Sequence, residues 1–267
     1  LKHRYRIPNV YGSLDELISS KTCDAVHVLL PPDLHAGAAT ALNQSGHHVF
    51  LEKPLCVTRE DADALSKLDT SRHQIGVGHN FLFADPYIRL RNDVQSGRLG
   101  QISELTINWH KELGQLRGGP FGIWMLRGAG NILLEIGPHS FSHLLDLVGK
   151  PDQFTVAPSH EMELPTGVKF FRQWTVVANR GPTRSILNFS FGRGLTEHTI
   201  HVRGSAGIGI VDFEAGTYTL TRLGIASMDL DRYRMTKEVS AQLRKQARRK
   251  LLRYVFSKAK LTRRGND

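Results

Sequence analysis

Cys23 and Cys56 are the only cysteines in 267 residues, too few for a disulfide framework. No apolar run approaches the roughly 20 residues that a membrane-spanning helix needs, and no leader pattern of charge followed by apolar residues opens the chain. Together these absences point to a reducing, cytoplasmic setting. Two signatures of chemistry are also missing. GxGxxG occurs nowhere: Gly76-Val77-Gly78 meets Phe81 where a third glycine should fall, and Gly207-Ile208-Gly209 meets Asp212. HExxH is absent too, which removes the usual zinc-hydrolase helix. The apolar content of 40% is nevertheless enough for a buried core, in one domain or two.

Glu52-Lys53-Pro54 stands out among what is present. It follows the apolar run His48-Val49-Phe50-Leu51, so a buried strand delivers a carboxylate and an amine to its own carboxyl end. In open α/β sheets that edge is where ligands bind. The proline halts the strand and holds the preceding lysine in extended backbone. A solvated Glu/Lys pair at a strand end is the plainer alternative.

The neighbouring pattern is strand, helix, strand, helix, strand. An apolar strand at 25–30 runs into Pro31-Pro32, with Asp33 read as the cap of a helix reaching Ser45 and Gly46 as its stop. After the strand at 47–51 comes a helix over 58–68, with Thr58 as cap and Asp61 three residues on. A strand at 75–78 follows. Short connections between such units imply right-handed parallel crossovers. The loops at 31–35, 52–56 and 79–83 should then share one sheet edge.

From Asn80 the pattern changes. A helix over 85–95, a strand over 102–109 and a loop rich in glycine (Gly114, Gly118, Gly119, Gly122) precede a helix placed at 138–148. Gly137-Pro138 reads as its start. Alternating runs at 154–157, 168–177, 184–191, 196–202 and 208–212 predict an antiparallel sheet with one solvated face. His139 and His143, one helical turn apart, could be core histidines, a zinc pair, or part of an acid/base site with Glu135.

With these residues on the page, the chain resembles the Gfo/Idh/MocA oxidoreductases. The matching stretches are Tyr11-Gly12-Ser13-Leu14-Asp15-Glu16-Leu17, the turn from Leu29 to His35, and Gly46-His47-His48-Val49-Phe50-Leu51-Glu52-Lys53-Pro54-Leu55. Gly78-His79-Asn80-Phe81, Ser96-Gly97-Arg98-Leu99-Gly100 and Glu135-Ile136-Gly137-Pro138-His139 complete the set. The resemblance implies α/β plus α+β architecture. A partial Rossmann-type parallel sheet (1–79) should precede a mostly antiparallel substrate and oligomerisation domain with flanking helices (80–232), then a basic helix and tail (233–267). It also implies that Leu1 begins midway through a nucleotide domain, with the strand at 25–30 left as an unpaired edge. The parent protein should carry the missing pyrophosphate turn, so this piece alone should bind NAD or NADP poorly and lack activity.

The resemblance assigns roles as well. Lys53, His139 and Glu135 are the expected catalytic residues. Leu30, Pro31, Pro32, His35, Glu52, Lys53 and Asn80 are expected to border the cofactor, and Lys53, Trp124, Arg127, His139 and His143 the substrate, with no metal. The imidazole would take a hydroxyl proton while a hydride leaves, and the ammonium would stabilise charge developing on oxygen. Glu135 stands where the family usually has Asp, Ser142 replaces a common Asp, Leu82 a common Arg, and Met125 follows Trp124 where Arg is frequent. These departures leave the reaction class intact and unsettle the substrate.

The expected function is NAD(P)-dependent oxidation of a sugar, sugar nucleotide or polyol hydroxyl. A redox-assisted glycoside hydrolase and a non-catalytic relative serving assembly or binding are the alternatives. A homo-oligomer formed through the antiparallel sheet is expected, and no specific nucleic-acid partner. The net charge of +10 is local, because residues 237–264 hold eleven Lys and Arg against one acid, Glu238. Val239, Leu243, Ala247, Leu251, Val255 and Ala259 recur every four residues there. They predict a helix that either packs on the sheet with a solvated basic face or meets an anionic surface or polyanion.

Overall fold

In a computed structural model, residues 2–222, 224 and 227–258 are described. The chain divides into two compact units, one of Leu1–His79 with Gly130–Pro138, the other of Asn80–Ala129 with His139–Asp267.

Unit 1 opens with α1 (Lys2–Tyr5) and α2 (Leu14–Ser20), whose cap Ser13 accepts the Glu16 amide. Strands β1 (Ala25–Val28), β2 (His48–Leu51) and β3 (Ile75–Val77) pair in parallel in that order. Between them lie α3 (His35–Gln44) and α4 (Arg59–Ser66), the crossovers that the alternating pattern predicts. Thr58 caps α4 by accepting the Asp61 amide, as expected. Asp33 is not a helix cap. Pro32–Leu34 forms a 3₁₀ turn in which the His35 amide reaches Pro32 O, so the α-helix begins at His35, one residue later than read. Val28, Ala38, Ala39, Leu42, Val49, Leu51 and Leu65 form the core of this unit. β1 has a neighbour on one side only.

Unit 2 is built on a seven-stranded sheet flanked by α5 (Asp85–Gln95). After the short helix α6 (Gln115–Gly118) comes α7 (Asn131–Leu147), whose first residues, up to Pro138, group with unit 1. Strand order is β10 (Thr217–Arg222), β9 (Gly207–Asp212), β8 (Glu197–Gly204), β4 (Ile102–His110), β7 (Thr183–Ser190), β6 (Lys169–Arg180) and β5 (Gln153–Glu163). All pairings are antiparallel except β4 with β7. Alternation along β4, β7 and β8 buries every second residue, among them Leu105, Ile107, Leu187, Phe189, Ile200 and Val202.

Three sequence readings need correction. α7 starts at Asn131, not at Pro138, which lies inside it. Fully buried Ile132 drives the earlier turn into the helix, and the proline forgoes only one hydrogen bond to the carbonyl four residues back. β5 is far longer than its apolar stretch, because its pairing with β6 continues through Glu163. β10 was not foreseen at all.

Both edges of this sheet are blunted. β5 carries Pro158 and a left-handed residue, His160, with φ of 57°. β10 is covered by α8 (Met228–Lys258) through two side-chain amides. Gln242 accepts from the Leu220 amide at 2.9 Å and donates to the Leu220 carbonyl at 2.8 Å. Gln246 makes the same pair with Tyr218, at 2.9 and 2.8 Å. The two glutamines thus do for β10 what another strand would do. Ala259 and the rest of the basic tail lie outside the described residues.

Candidate functional site

Lys53 leaves the end of β2 with its side chain only 17% exposed. Its ammonium forms an ion pair with the Glu135 carboxylate and donates to the Glu135 carbonyl at 3.0 Å. Backbone and side chain of one residue therefore hold the amine from two directions. Glu135, at 22% side-chain exposure, is drawn in from the first turns of α7, more than 80 residues away in sequence. The peptide between Lys53 and Pro54 is cis.

The rest of this edge is assembled by His35. Its ring is fully buried, with Nδ1 2.8 Å from Pro54 O and Nε2 2.9 Å from Leu30 O. The imidazole ties the turn after β1 to the loop after β2, so it sets the loops in place and has no nitrogen left over for a ligand. Leu29, Leu30 and Leu34 remain exposed beside that turn. Glu52 is half exposed, 3.4 Å from His27 Nε2. Pro31 and Pro32 shape the turn and lend it no donor.

The unit 2 candidates sit in a different environment. His139 is buried with its ring stacked on Trp109, at 5.3 Å and 13°, and edge-on to Phe81 at 5.0 Å. His143, expected at the substrate, is instead fully buried against Tyr87 at 4.4 Å and Phe213 at 5.4 Å, which takes it off any ligand-facing surface. Asn80 opens a 3₁₀ turn (Asn80–Phe83) that ends in exposed Phe83. Trp124 lies in another, Trp124–Leu126, and is partly buried. Arg127 is exposed and turns its Nε to the Gly122 carbonyl at 2.8 Å. Among the described residues, no group of three or more His, Cys, Asp or Glu side chains is placed to hold a metal ion.

Sequence reasoning missed His198. It lies on β8, 3.9 Å from the Trp109 ring and stacked on Phe213 at 4.0 Å. Burial, and then the nearby His143 and His139, depress its pKa to about 2, so it stays neutral. The inward period along β8, with Ile200 and Val202 on the same face, was the available signal. Tyr87 was missed as well. It donates to Asp146 at 2.6 Å, and burial with that bond raises its pKa.

Residues 1–80 match the model of an oxidoreductase family with an NAD-binding Rossmann fold, Gfo/Idh/MocA. An uncharacterized oxidoreductase of Schizosaccharomyces pombe is 29% identical over 170 residues, covering 61% of this chain and 45% of the relative. The scyllo-inositol 2-dehydrogenase (NADP(+)) of Bacillus subtilis is 23% identical over 174 residues, covering 64% of this chain and 48% of its own. A levoglucosan dehydrogenase solved with NADH and levoglucosan superposes with a TM-score of 0.75 at 17% identity, covering 85% of this chain and 64% of that one. The chain thus spans about half the length of the curated relatives it matches. Residues 1–80 thus match the NAD-binding model of the Gfo/Idh/MocA oxidoreductases, and the chain shares its fold with solved dehydrogenases.

Proposed function

We propose that the protein is an NAD(P)-dependent oxidoreductase acting on a hydroxyl of a sugar, sugar nucleotide or polyol. The observation that carries this reading is the Lys53 ammonium, fixed at the carboxyl edge of a parallel sheet by both the carboxylate and the carbonyl of Glu135. The same edge suits a dinucleotide. Exposed Leu29, Leu30 and Leu34 offer an apolar wall to a flat ring, and half-exposed Glu52 offers a carboxylate to ribose hydroxyls. The cofactor, when bound, supplies the hydride chemistry.

The chain's own residues supply placement and charge. Lys53 donates a hydrogen bond to the reacting oxygen and stabilises the negative charge that grows on it as its proton departs. Glu135 keeps the amine from swinging into solvent, so little reorganisation is needed when that charge appears. His35 fixes the two loops that frame the lysine.

The test is to incubate the full-length protein with NAD⁺ and with NADP⁺ against panels of sugars, sugar nucleotides and polyols. Near-ultraviolet absorbance of reduced nicotinamide is the readout. Reduction with one substrate class supports the proposal. Release of free sugar without net reduction would favour the redox-assisted hydrolase. Absence of both would overturn the enzymatic reading.

A further inference from the structure

Helix α8 meets the sheet with polar side chains where a packed helix usually offers apolar ones. The residues it turns to β10 and α5 are Gln242, Gln246, Lys250 and Arg253. The glutamines clamp the β10 backbone, Lys250 donates to the Ala215 carbonyl, and Arg253 meets Asp85 at 3.0 Å. Gln246 is the only buried residue among those described in the helix. Its large apolar side chains face outward. Leu243, Leu251, Leu252, Tyr254, Val255 and Phe256 are each between 40 and 63% exposed.

At 3.6 residues per turn, Leu243 and Tyr254 flank the polar seam on one side, Leu252 and Phe256 on the other, and Leu251 and Val255 lie across the helix from it. Cations are threaded between them. From residue 239 to residue 258 there are seven Lys and Arg, five of them outside the inward seam, and no Asp or Glu. A contiguous exposed surface of this size and composition marks an interaction site.

We propose that the outer face of α8 lies on an anionic lipid bilayer, with its apolar side chains in the acyl boundary and its cations among the headgroups. This surface is independent of the sheet-edge lysine and its chemistry. Charge complementarity selects the occupant. A second copy set against residues 239–258 would oppose cations with cations, since the acids of the helix, Asp229, Asp231 and Glu238, all lie before that stretch. A nucleic acid would answer the cations yet leave six large apolar side chains with nothing to bury against. A bilayer with acidic headgroups satisfies both, because long basic side chains can reach the headgroups while their stems and the apolar residues sink below. The inward polar seam fits as well: the glutamines fasten the helix to the sheet without using its apolar residues.

The experiment is sedimentation of this chain with phosphatidylcholine vesicles, with and without about one third phosphatidylserine, at low and high salt. Binding should require phosphatidylserine and weaken as salt rises. Arg248→Gln with Arg249→Gln should lower the partition coefficient about thirtyfold, at roughly fivefold per charge. Leu251→Ser with Leu252→Ser should lower it at least about tenfold. All four side chains are exposed, and unchanged amide exchange at Tyr218 and Leu220 would show that the helix still grips β10. Equal binding to neutral vesicles would overturn the proposal. So would binding of single-stranded DNA or RNA in place of vesicles, or self-association abolished by the same substitutions.

Discussion

Replacing Lys53 with methionine removes the ammonium and keeps the aliphatic stem, so the packing of the β2 exit is conserved. What changes is the electrostatic balance of Glu135, whose carboxylate keeps its partial burial and loses its counter-ion. Breaking a fully buried pair from one side costs about 3–5 kcal/mol. Here roughly a fifth of each side chain meets water, and solvent screening reduces the figure to about 1–3 kcal/mol. Glu135→Leu alone leaves the Lys53 ammonium with only the main-chain carbonyl of residue 135 and should cost a similar amount. Lys53→Met combined with Glu135→Leu should recover much of the loss, since no charge is left stranded. The resulting coupling energy should be about 1–2 kcal/mol. All three tryptophans, Trp109, Trp124 and Trp174, lie in unit 2, so fluorescence is blind to this event. Native-state amide exchange at Val49 and Leu51 in β2 reads it directly. A coupling energy below about 0.3 kcal/mol would show that the pair is not formed in solution and refute the reasoning.

Other consequences follow from particular contacts. His198 has a folded pKa depressed to about 2 against an ordinary value near 6.5, so below about pH 6.5 the unfolded chain takes up a proton that the folded one refuses. Stability should fall by about 1.4 kcal/mol per pH unit, or roughly 2 kcal/mol by pH 5, and His198→Phe should flatten that slope in urea titrations followed by tryptophan fluorescence. Gln246→Ala leaves the Tyr218 amide and carbonyl at an open sheet edge, and should cost about 1–3 kcal/mol with faster aggregation in light scattering. Thr58→Ala removes the cap of α4 and should cost about 1 kcal/mol, read as faster amide exchange in that helix's first turn.

Much of unit 1 was legible because local and long-range signals agree there. Ser13 and Thr58 cap the helices they precede, and apolar runs bounded by Pro31-Pro32 and Pro54 become parallel strands. Proline was a poorer guide in α7. Pro138 reads as a start signal, yet burial of Ile132 extends the helix a further turn and more ahead of it. The polar alternation of Thr217-Tyr218-Thr219-Leu220 hid a strand whose inward side chains are only Tyr218 and Leu220. Hydrophobic periodicity found helix α8 but not the face it packs with, for a physical reason: it assumes that apolar residues face the fold, and here amide-to-backbone hydrogen bonds carry the packing. The partnership of Lys53 with Glu135 spans 82 residues, and spacing along the chain holds no trace of it. His35 was legible as important but not in kind. Its position suggested a cofactor contact, and its two ring nitrogens are engaged by main-chain carbonyls instead.

The central claim is that the Lys53 amine acts on the oxygen that reacts. Its most direct test compares turnover of the unaltered protein with that of Lys53→Met and Lys53→Arg, on whichever hydroxyl substrate the cofactor assay identifies. The account predicts that Lys53→Met lowers kcat by about 10²–10⁴-fold while KM moves only a few-fold, with partial recovery in Lys53→Arg. An unchanged kcat, or a loss confined to KM, would contradict it.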